Sequence, residues 1–210
     1  MIVAIDGPAG AGKSTVAKAL AARLGFRYLD TGAMYRALTW LALQRGLPLG
    51  DGAPLGALAL EHPVTFDERG RVFIHGSDVT SAIRQARVDQ MVPVVARHPE
   101  VRKVMRQRQR ELAEQGDAVI EGRDIGTVVA PDAAVKVYLV ADPDIRARRR
   151  LSERADVGSD ALATDLKLRD EQDRVRMQPA ADAEQIDTTE LGVDEVVTRI
   201  EALVRARSFA

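Results

Sequence analysis

The amino-acid sequence predicts an α/β fold in which a five-stranded parallel β-sheet is flanked by helices. Three observations carry this prediction. Apolar strand-like runs alternate with helical patterns along most of the chain. A glycine-rich loop, GPAGAGKS at residues 7–14, directly follows the first apolar run at residues 2–5. The length of 210 residues, 46% of them hydrophobic, suits one α/β domain with a small inserted lobe.

The order of strand and helix patterns supports a parallel sheet. Strands are predicted at residues 2–6, 27–30, 118–121, 135–140 and 184–188. Helices are predicted at residues 13–24, 31–45, 98–115, 142–154, 159–177 and 193–206. Gly25 and Gly46 close the first two helices, while Thr31 and Asp142-Pro143 are plausible helix starts. Because helices connect successive strands, we expect helices on both faces of the sheet.

One segment breaks this alternation. Residues 63–80, PVTFDERGRVFIHGSDVT, have the pattern of short strands around a turn at Glu68-Arg69-Gly70. A hairpin within an α/β chain indicates a small inserted α+β lobe, which the sequence places at about residues 50–90.

The composition excludes several classes of protein. The net charge of −1 does not favour a nucleic-acid surface, and no apolar run approaches the ~18 residues of a membrane span. The absence of cysteine excludes disulfides and zinc–thiolate sites. The chain also lacks asparagine, so it cannot contain the Asn-Lys-x-Asp element of guanine-specific GTPases. The three histidines show no ligand spacing, and no chemistry is assigned to them. We expect a cytoplasmic monomer.

The glycine-rich loop predicts the binding of a nucleoside triphosphate. The spacing Gly-x4-Gly-Lys-Ser, between a buried strand and a helix, builds a loop whose N–H groups point at a polyphosphate. Lys13 can reach the β- and γ-phosphates, and the Ser14 hydroxyl is placed to ligate Mg²⁺. The first turn of the following helix adds further donors and the positive end of the helix dipole. The expected ligands are therefore ATP and Mg²⁺.

The arginine content limits the class of reaction that the sequence favours. Only five of the 30 basic residues are lysine, and arginine suits bidentate phosphate recognition. A small chain with many arginines after the loop fits a kinase for small phosphorylated acceptors, because donor and acceptor are both anions. Kinases for UMP, shikimate or dephospho-coenzyme A remain open at this point. A regulator or assembly ATPase that uses ATP to switch partners also remains open.

Five sequence blocks then resemble the bacterial cytidylate kinases: LDTGAMYRALTWLAL (29–43), EGRDIGTVVAPDAAVKVYLVA (121–141), RARRRLSERA (146–155), RDEQDRVR (169–176) and DAEQIDTT (182–189). They fall in family order and span nearly the whole chain. The resemblance implies that ATP and CMP or dCMP give ADP and CDP or dCDP. It also implies one kinase domain with three parts: a core at about 1–35, 91–145 and 178–210, a monophosphate-binding lobe at about 36–90, and a helical lid at about 146–177.

The same resemblance implies the site residues. The ATP phosphates are assigned to Gly7, Pro8, Ala9, Gly10, Ala11, Gly12, Lys13, Ser14 and Thr15, with Ser14 as the metal ligand. The CMP phosphate is assigned to Thr31, Arg36, Arg123 and Arg176, the cytosine edge to Arg102 and Asp124, and the sugar hydroxyls to Arg169 and Asp173. The catalytic residues are expected to be Lys13, Arg123 and the lid arginines Arg148 and Arg154.

Physical chemistry supports these assignments and leaves alternatives. Asp124 can accept from the cytosine amino group but would repel a carbonyl at the same position, which favours cytosine over uracil. Arg123 and Asp124 could instead form a structural ion pair, and Thr31 could be a helix cap. The residues of 169–176 could be a solvated helix face. Pro93 stands where the family pattern predicts a serine near the base, so the preference for CMP over UMP stays open.

Overall fold

The computed structural model describes residues 1–153, 164, 166–168, 170–171 and 177–208. The chain divides into two compact units. Unit 1 comprises Met1–Leu29 and Gly116–Ala210, and unit 2 comprises Asp30–Gln115. The three-part division into core, lobe and lid stays a prediction.

The described strands and helices are numbered in chain order. The strands are β1 (Ile2–Asp6), β2 (Arg27–Asp30), β3 (Thr65–Phe66), β4 (Val72–Ile74), β5 (Ser77–Asp78), β6 (Ala118–Gly122), β7 (Val135–Val140) and β8 (Glu184–Asp187). The α-helices are α1 (Lys13–Leu24), α2 (Thr31–Gln44), α3 (Gly52–Glu61), α4 (Ala86–Ala96), α5 (Pro99–Ala113), α6 (Pro143–Glu153) and α7 (Val193–Ser208). A 3₁₀ helix at Ala82–Arg84 and a π-helical turn at Ile125–Val129 complete the set.

Unit 1 is built on a five-stranded sheet in the order β2-β6-β1-β7-β8. Strand β1 pairs in parallel with β6 and β7, and β7 pairs in parallel with β8. Its core joins the centre of the sheet to α1 and α7, with Val3, Ile5, Leu20, Leu139 and Ile200 all fully buried. The predicted parallel α/β sheet with flanking helices is therefore confirmed.

The predicted strand bounds in unit 1 match the structure to within one residue. The helices predicted at 13–24, 31–45, 98–115, 142–154 and 193–206 match to within two residues at each end. Gly25 closes α1 in the left-handed conformation, with φ of +69°. The helix predicted at 159–177 lies largely outside the described residues. No helix in the described part of the chain is long and apolar enough to cross a membrane.

Unit 2 contains the predicted hairpin and two helices that the sequence did not predict. The strands form an antiparallel sheet in the order β3-β4-β5, and α2 packs against α4 and β4. Helix α3 was missed because Gly52, Pro54 and Gly56 disfavour a helix. Pro54 nevertheless lies in the first turn, where its missing N–H costs no helix bond. A Cβ at Gly56 would lie 2.8 Å from the Cβ of Glu100, so glycine permits the close packing of α3 on α5.

Helix α4 was missed for a different reason. Pro93 lies inside it and lacks the N–H that would bond to the preceding turn. The helix forms nevertheless, with Val88 and Val95 buried in unit 2. Tertiary packing therefore overrides the local preference in both missed helices.

Candidate active site

The loop between β1 and α1 has the geometry of a phosphate-binding loop. Gly7 has φ of +145°, and a Cβ there would lie 2.2 Å from the carbonyl oxygen of Leu139. Glycine is therefore required where the loop passes the end of β7. Lys13 begins α1 and folds back over the loop, since its Nζ donates to the carbonyl of Pro8 at 2.8 Å. Ser14 and Thr15 are exposed in the first turn of α1, where N–H groups have no partner within the helix.

Side chains from α6 and from the end of β8 hold the loop from behind. Arg146, which is 7% exposed, donates to the carbonyl of Ala9 at 3.2 Å. The Thr188 hydroxyl donates to the carbonyl of Ala11 at 3.0 Å. Arg149 in turn donates to the Thr188 carbonyl at 2.6 Å and hydroxyl at 2.9 Å. These bonds occupy two carbonyl oxygens of the loop and so fix its backbone in the conformation that presents N–H groups to an anion.

The arginines of the predicted lid differ in where the structure places them. Arg146 and Arg149 contact the loop or its support, a role that sequence reasoning did not assign to either residue individually. Arg148, predicted to be catalytic, is exposed in α6. Arg154 lies outside the described residues. The run RARRRLSER gave no indication which arginines face the loop, because helix phase alone does not identify the packed side.

The carboxyl ends of β1 and β6 lie side by side, because Asp6 is in register with Gly122. The two carboxylate oxygens of Asp6 accept from the backbone N–H groups of Ile125 and Gly126, both at 2.8 Å. Burial raises the pKa of Asp6, and the nearby negative charge of Asp124 adds to the rise. Asp6 therefore anchors the π-helical turn that follows Asp124.

Two further side chains at this edge support the site. Arg123 donates from Nη1 to the carbonyl of Gly7 at 3.0 Å, so this predicted phosphate ligand lies directly beside the loop. Glu121 is buried and accepts a hydrogen bond from the Tyr28 hydroxyl at 2.5 Å. Within unit 1, the structure thus brings Lys13, Arg123 and the loop together.

Unit 1 also contains a cavity of about 650 Å³ beside the loop. Its lining includes Pro8, Tyr138, Val140, Arg146, Leu166 and Met177. Arg146 pairs with Asp170 at 2.7 Å, and the Tyr138 hydroxyl donates to the carbonyl of Met177 at 3.0 Å. A cavity of this size is typical of small-molecule sites.

Unit 2 carries a cluster of ion pairs at the start of α2, built on two buried carboxylates. Asp30, 6% exposed, accepts from the N–H of Ala33 at 2.8 Å and from Arg84 Nη2 at 2.9 Å. Arg36, one turn along α2, pairs with the buried Asp89 at 3.4 Å. Burial alone would raise the pKa of Asp30. The charges of Arg36 and Arg84, together with the Ala33 N–H, outweigh burial and hold the pKa below its usual value.

The start of α2 corrects one interpretation of the sequence. The N-cap of α2 is Asp30, so the suggestion that Thr31 caps the helix is wrong. Thr31 is the first helical residue and is buried. Sequence reasoning missed Asp30, Arg84 and Asp89, although Asp30 adjoins the predicted residue.

The remaining predicted residues are placed as follows. Arg102 is half-buried in α5, and Pro93 is half-buried in α4, both in unit 2. Asp124 is half-buried in unit 1. Arg169, Asp173 and Arg176 lie outside the described residues.

Comparison with known proteins decides the family. The family model described as cytidylate kinase matches residues 3–206. The chain belongs to the cytidylate kinase family. The cytidylate kinase of Shouchella clausii is 50% identical over 217 residues, covering 98% of this chain and 96% of the relative. The cytidylate kinase of Exiguobacterium sibiricum is 49% identical, covering 96% of this chain and 95% of the relative. The cytidylate kinase of Bacillus licheniformis is 45% identical, covering 97% of this chain and 96% of the relative.

Solved structures of other kinases share the fold of this cytidylate kinase family member. Shikimate kinase from Bacteroides thetaiotaomicron superposes with a TM-score of 0.54 at 18% identity, covering 98% of each chain. A gluconokinase from Sinorhizobium meliloti superposes with a TM-score of 0.51 at 16% identity, covering 98% of this chain and 93% of the gluconokinase chain. At these identities the likeness concerns the fold alone, and it confirms the predicted α/β fold with a five-stranded parallel sheet.

Proposed function

We propose that this protein transfers the γ-phosphoryl group of ATP to CMP or dCMP, giving ADP and CDP or dCDP. The observation that carries the proposal is a phosphate loop at residues 7–15, in a chain that matches cytidylate kinases over nearly its full length. The relatives at 45–50% identity are named for this activity.

The donor is assigned to unit 1. Residues 7–15 would hold the ATP phosphates through backbone N–H groups, and Lys13 would contact the transferred phosphoryl group. The residues fit Mg²⁺, because Ser14 offers an exposed hydroxyl in the first turn of α1. Mg²⁺ commonly takes few protein ligands and completes its shell with nucleotide oxygens and water. The ion would neutralise charge on the β- and γ-phosphates.

The acceptor stays assigned to the residues that the family resemblance implies. In unit 2, Thr31 and Arg36 would bind the CMP phosphate, and Arg102 would contact the base. The ion pair with Asp89 supports Arg36, since it restricts a long side chain before the ligand arrives. In unit 1, Arg123 would bind the phosphate and Asp124 the cytosine amino group. Arg169, Asp173 and Arg176 stay assigned to the sugar and phosphate, and Arg148 and Arg154 to the transferred group.

The reaction needs no general base. The second pKa of a phosphate monoester is near ~6, so CMP is largely dianionic at neutral pH and is already a nucleophile. Its phosphate oxygen attacks the γ-phosphorus as the bond to ADP breaks. Lys13 and the arginines stabilise the charge that spreads over the transferred group. Exclusion of water by the lid would prevent loss of ATP to hydrolysis.

An acceptor panel tests the proposal. ADP formation from Mg·ATP is measured with CMP, dCMP, UMP, AMP and no acceptor. Strong turnover with CMP and dCMP, with weak turnover for UMP, is the expected result. Comparable rates for CMP and UMP would point to Pro93 as a loosening of the base site. ATP hydrolysis that no nucleotide changes would contradict the kinase function itself.

A further inference from the structure

His62 and His75 come together in unit 2, although their spacing in the sequence matches no metal-ligand motif. His62 follows α3 directly, and His75 lies in the turn between β4 and β5. Their Nδ1 atoms are 3.2 Å apart. The rings are nearly perpendicular, at 76°, with centroids 4.4 Å apart. The two Nδ1 atoms are therefore within hydrogen-bond distance of each other.

This separation suits two ligands of one metal ion. Bonds of about 2.0–2.1 Å at a tetrahedral angle place two zinc-bound nitrogens about 3.3 Å apart. The observed separation of the two Nδ1 atoms is therefore close to that of two nitrogens bound to one ion. We propose that His62 and His75 chelate a divalent transition-metal ion of the Zn²⁺ class, with water completing the coordination.

The protonation of His62 can support this role. A metal on Nδ1 requires the ring proton to lie on Nε2, and metal-bound histidines usually donate that proton to a carboxylate or carbonyl. His62 Nε2 is buried and has no hydrogen-bond partner within the described residues. The Oε1 atom of Glu61 lies 3.5 Å from it, and the Glu61 side chain is 70% exposed and so has room to turn toward the ring. An ion bound to both Nδ1 atoms would replace the contact that the two nitrogens make with each other.

The backbone at His75 is a second, independent observation. Ile74 pairs with Ser77, so His75 and Gly76 form a two-residue hairpin turn. Their φ angles are +51° and +74°, which is the type I′ arrangement that prefers asparagine, aspartate or glycine. His75 is the only residue other than glycine with positive φ in the described part of the chain. A histidine held in this conformation supports a use for its imidazole.

The chemistry of the pair selects the class of ion. Imidazole nitrogens suit Zn²⁺, Ni²⁺ and Cu²⁺, whereas Mg²⁺ prefers oxygen ligands. The site is therefore distinct from the proposed Mg·ATP site and does not rest on the proposed function. The chain has three histidines and no cysteine, so competing soft ligands are few. The third histidine, His98, lies with its Nε2 2.8 Å from the carbonyl of Leu49.

The test uses the full chain without nucleotide and without Mg²⁺. Zn²⁺ binding is measured by equilibrium dialysis, and the histidine ring signals are followed by NMR. His75→Asn keeps a residue that tolerates positive φ, and His62→Gln removes the other ligand. His98→Gln is the matched control. Circular dichroism checks that each variant is folded.

We expect one Zn²⁺ per chain for wild type and for His98→Gln, with the ring signals of two histidines shifting. Each of His62→Gln and His75→Asn should weaken binding by about tenfold or more, because one ligand of a chelating pair is lost. Equal affinity in wild type and His75→Asn would overturn the proposal. So would no binding by wild type up to about 1 mM Zn²⁺, or loss of binding in His98→Gln alone.

Discussion

The phosphate loop of unit 1 and the ion-pair cluster of unit 2 hold their charged side chains in different ways. In the loop, Lys13, Arg123 and Arg146 donate to backbone carbonyl groups. In the cluster, Arg36 and Arg84 pair with the buried carboxylates of Asp89 and Asp30. The loop therefore depends on backbone conformation, and the cluster depends on side-chain charge.

This difference teaches what a substitution should do in each region. Substitution of Lys13 or Arg123 removes a hydrogen bond to an uncharged carbonyl group, which costs less stability than the loss of an ion pair with a buried carboxylate. Removal of an arginine from the cluster weakens the charge compensation of a buried carboxylate, which costs stability as well as binding. We therefore expect kinetic effects in the loop, and mixed kinetic and stability effects in the cluster.

The largest effect is expected at the loop. Lys13→Ala should lower kcat by about 10²–10³, because a charge that stabilises the transferred phosphoryl group is lost. ADP formation with CMP measures the change. Lys18→Ala is the matched control, since Lys18 is exposed in the same helix. Activity of Lys13→Ala within a few-fold of wild type would show that the loop does not act on the phosphates.

A smaller effect is expected at the acceptor phosphate. Arg36→Ala should raise the KM for CMP by about 10–100-fold, since a charged hydrogen bond contributes about 1.5–3 kcal/mol. The KM for ATP should change little. Arg45→Ala, at the exposed end of the same helix, serves as control. If KM for ATP and CMP rise equally, Arg36 is not an acceptor ligand.

The ion-pair cluster also predicts a pH-dependent stability. Asp30→Asn keeps the helix cap and removes the charge, so it should cost about 1–3 kcal/mol at pH 7. Because the folded pKa of Asp30 is lowered, its contribution is fully present above the unfolded pKa of about 3.9 and is lost as pH falls through the folded value. Urea unfolding should therefore show the two proteins converging below about pH 4.

Asp51→Asn is the control for this experiment. Asp51 caps α3 from an exposed position, where its side chain accepts from Ala53 at 3.2 Å. Its substitution should change stability by less than about 0.5 kcal/mol. A gap between wild type and Asp30→Asn that is the same at pH 3 and pH 7 would contradict the role assigned to the charge.

The smallest effect is expected at Pro93. Pro93→Ser and Pro93→Ala both restore a backbone N–H inside α4, but only serine adds a hydroxyl. If this position faces the base, serine should raise the CMP-to-UMP ratio of kcat/KM by about 2–10-fold, as one neutral hydrogen bond allows. Alanine should leave the ratio unchanged. An equal change in both variants would assign the effect to the helix backbone.

The sequence predicted the two regions unequally for a physical reason. The loop is contiguous, and its Gly-x4-Gly-Lys-Ser spacing reports a backbone conformation that few other residues can adopt. The cluster joins Asp30, Arg36, Arg84 and Asp89, whose separations in the chain carry no periodic signal. Only the fold brings Arg84 and Asp89 to α2. The same holds for His62 and His75, which meet because a type I′ turn brings one beside the end of α3.

The central claim is that unit 1 binds the donor through its loop and that Arg36 of unit 2 binds the acceptor. Isothermal titration calorimetry of ATP and of CMP, each with wild type, Lys13→Ala and Arg36→Ala, tests it most directly. We predict that Lys13→Ala weakens ATP binding and leaves CMP binding within a few-fold of wild type, while Arg36→Ala does the reverse. If either variant weakened both nucleotides equally, the two regions would not have separate ligands and the account would be contradicted.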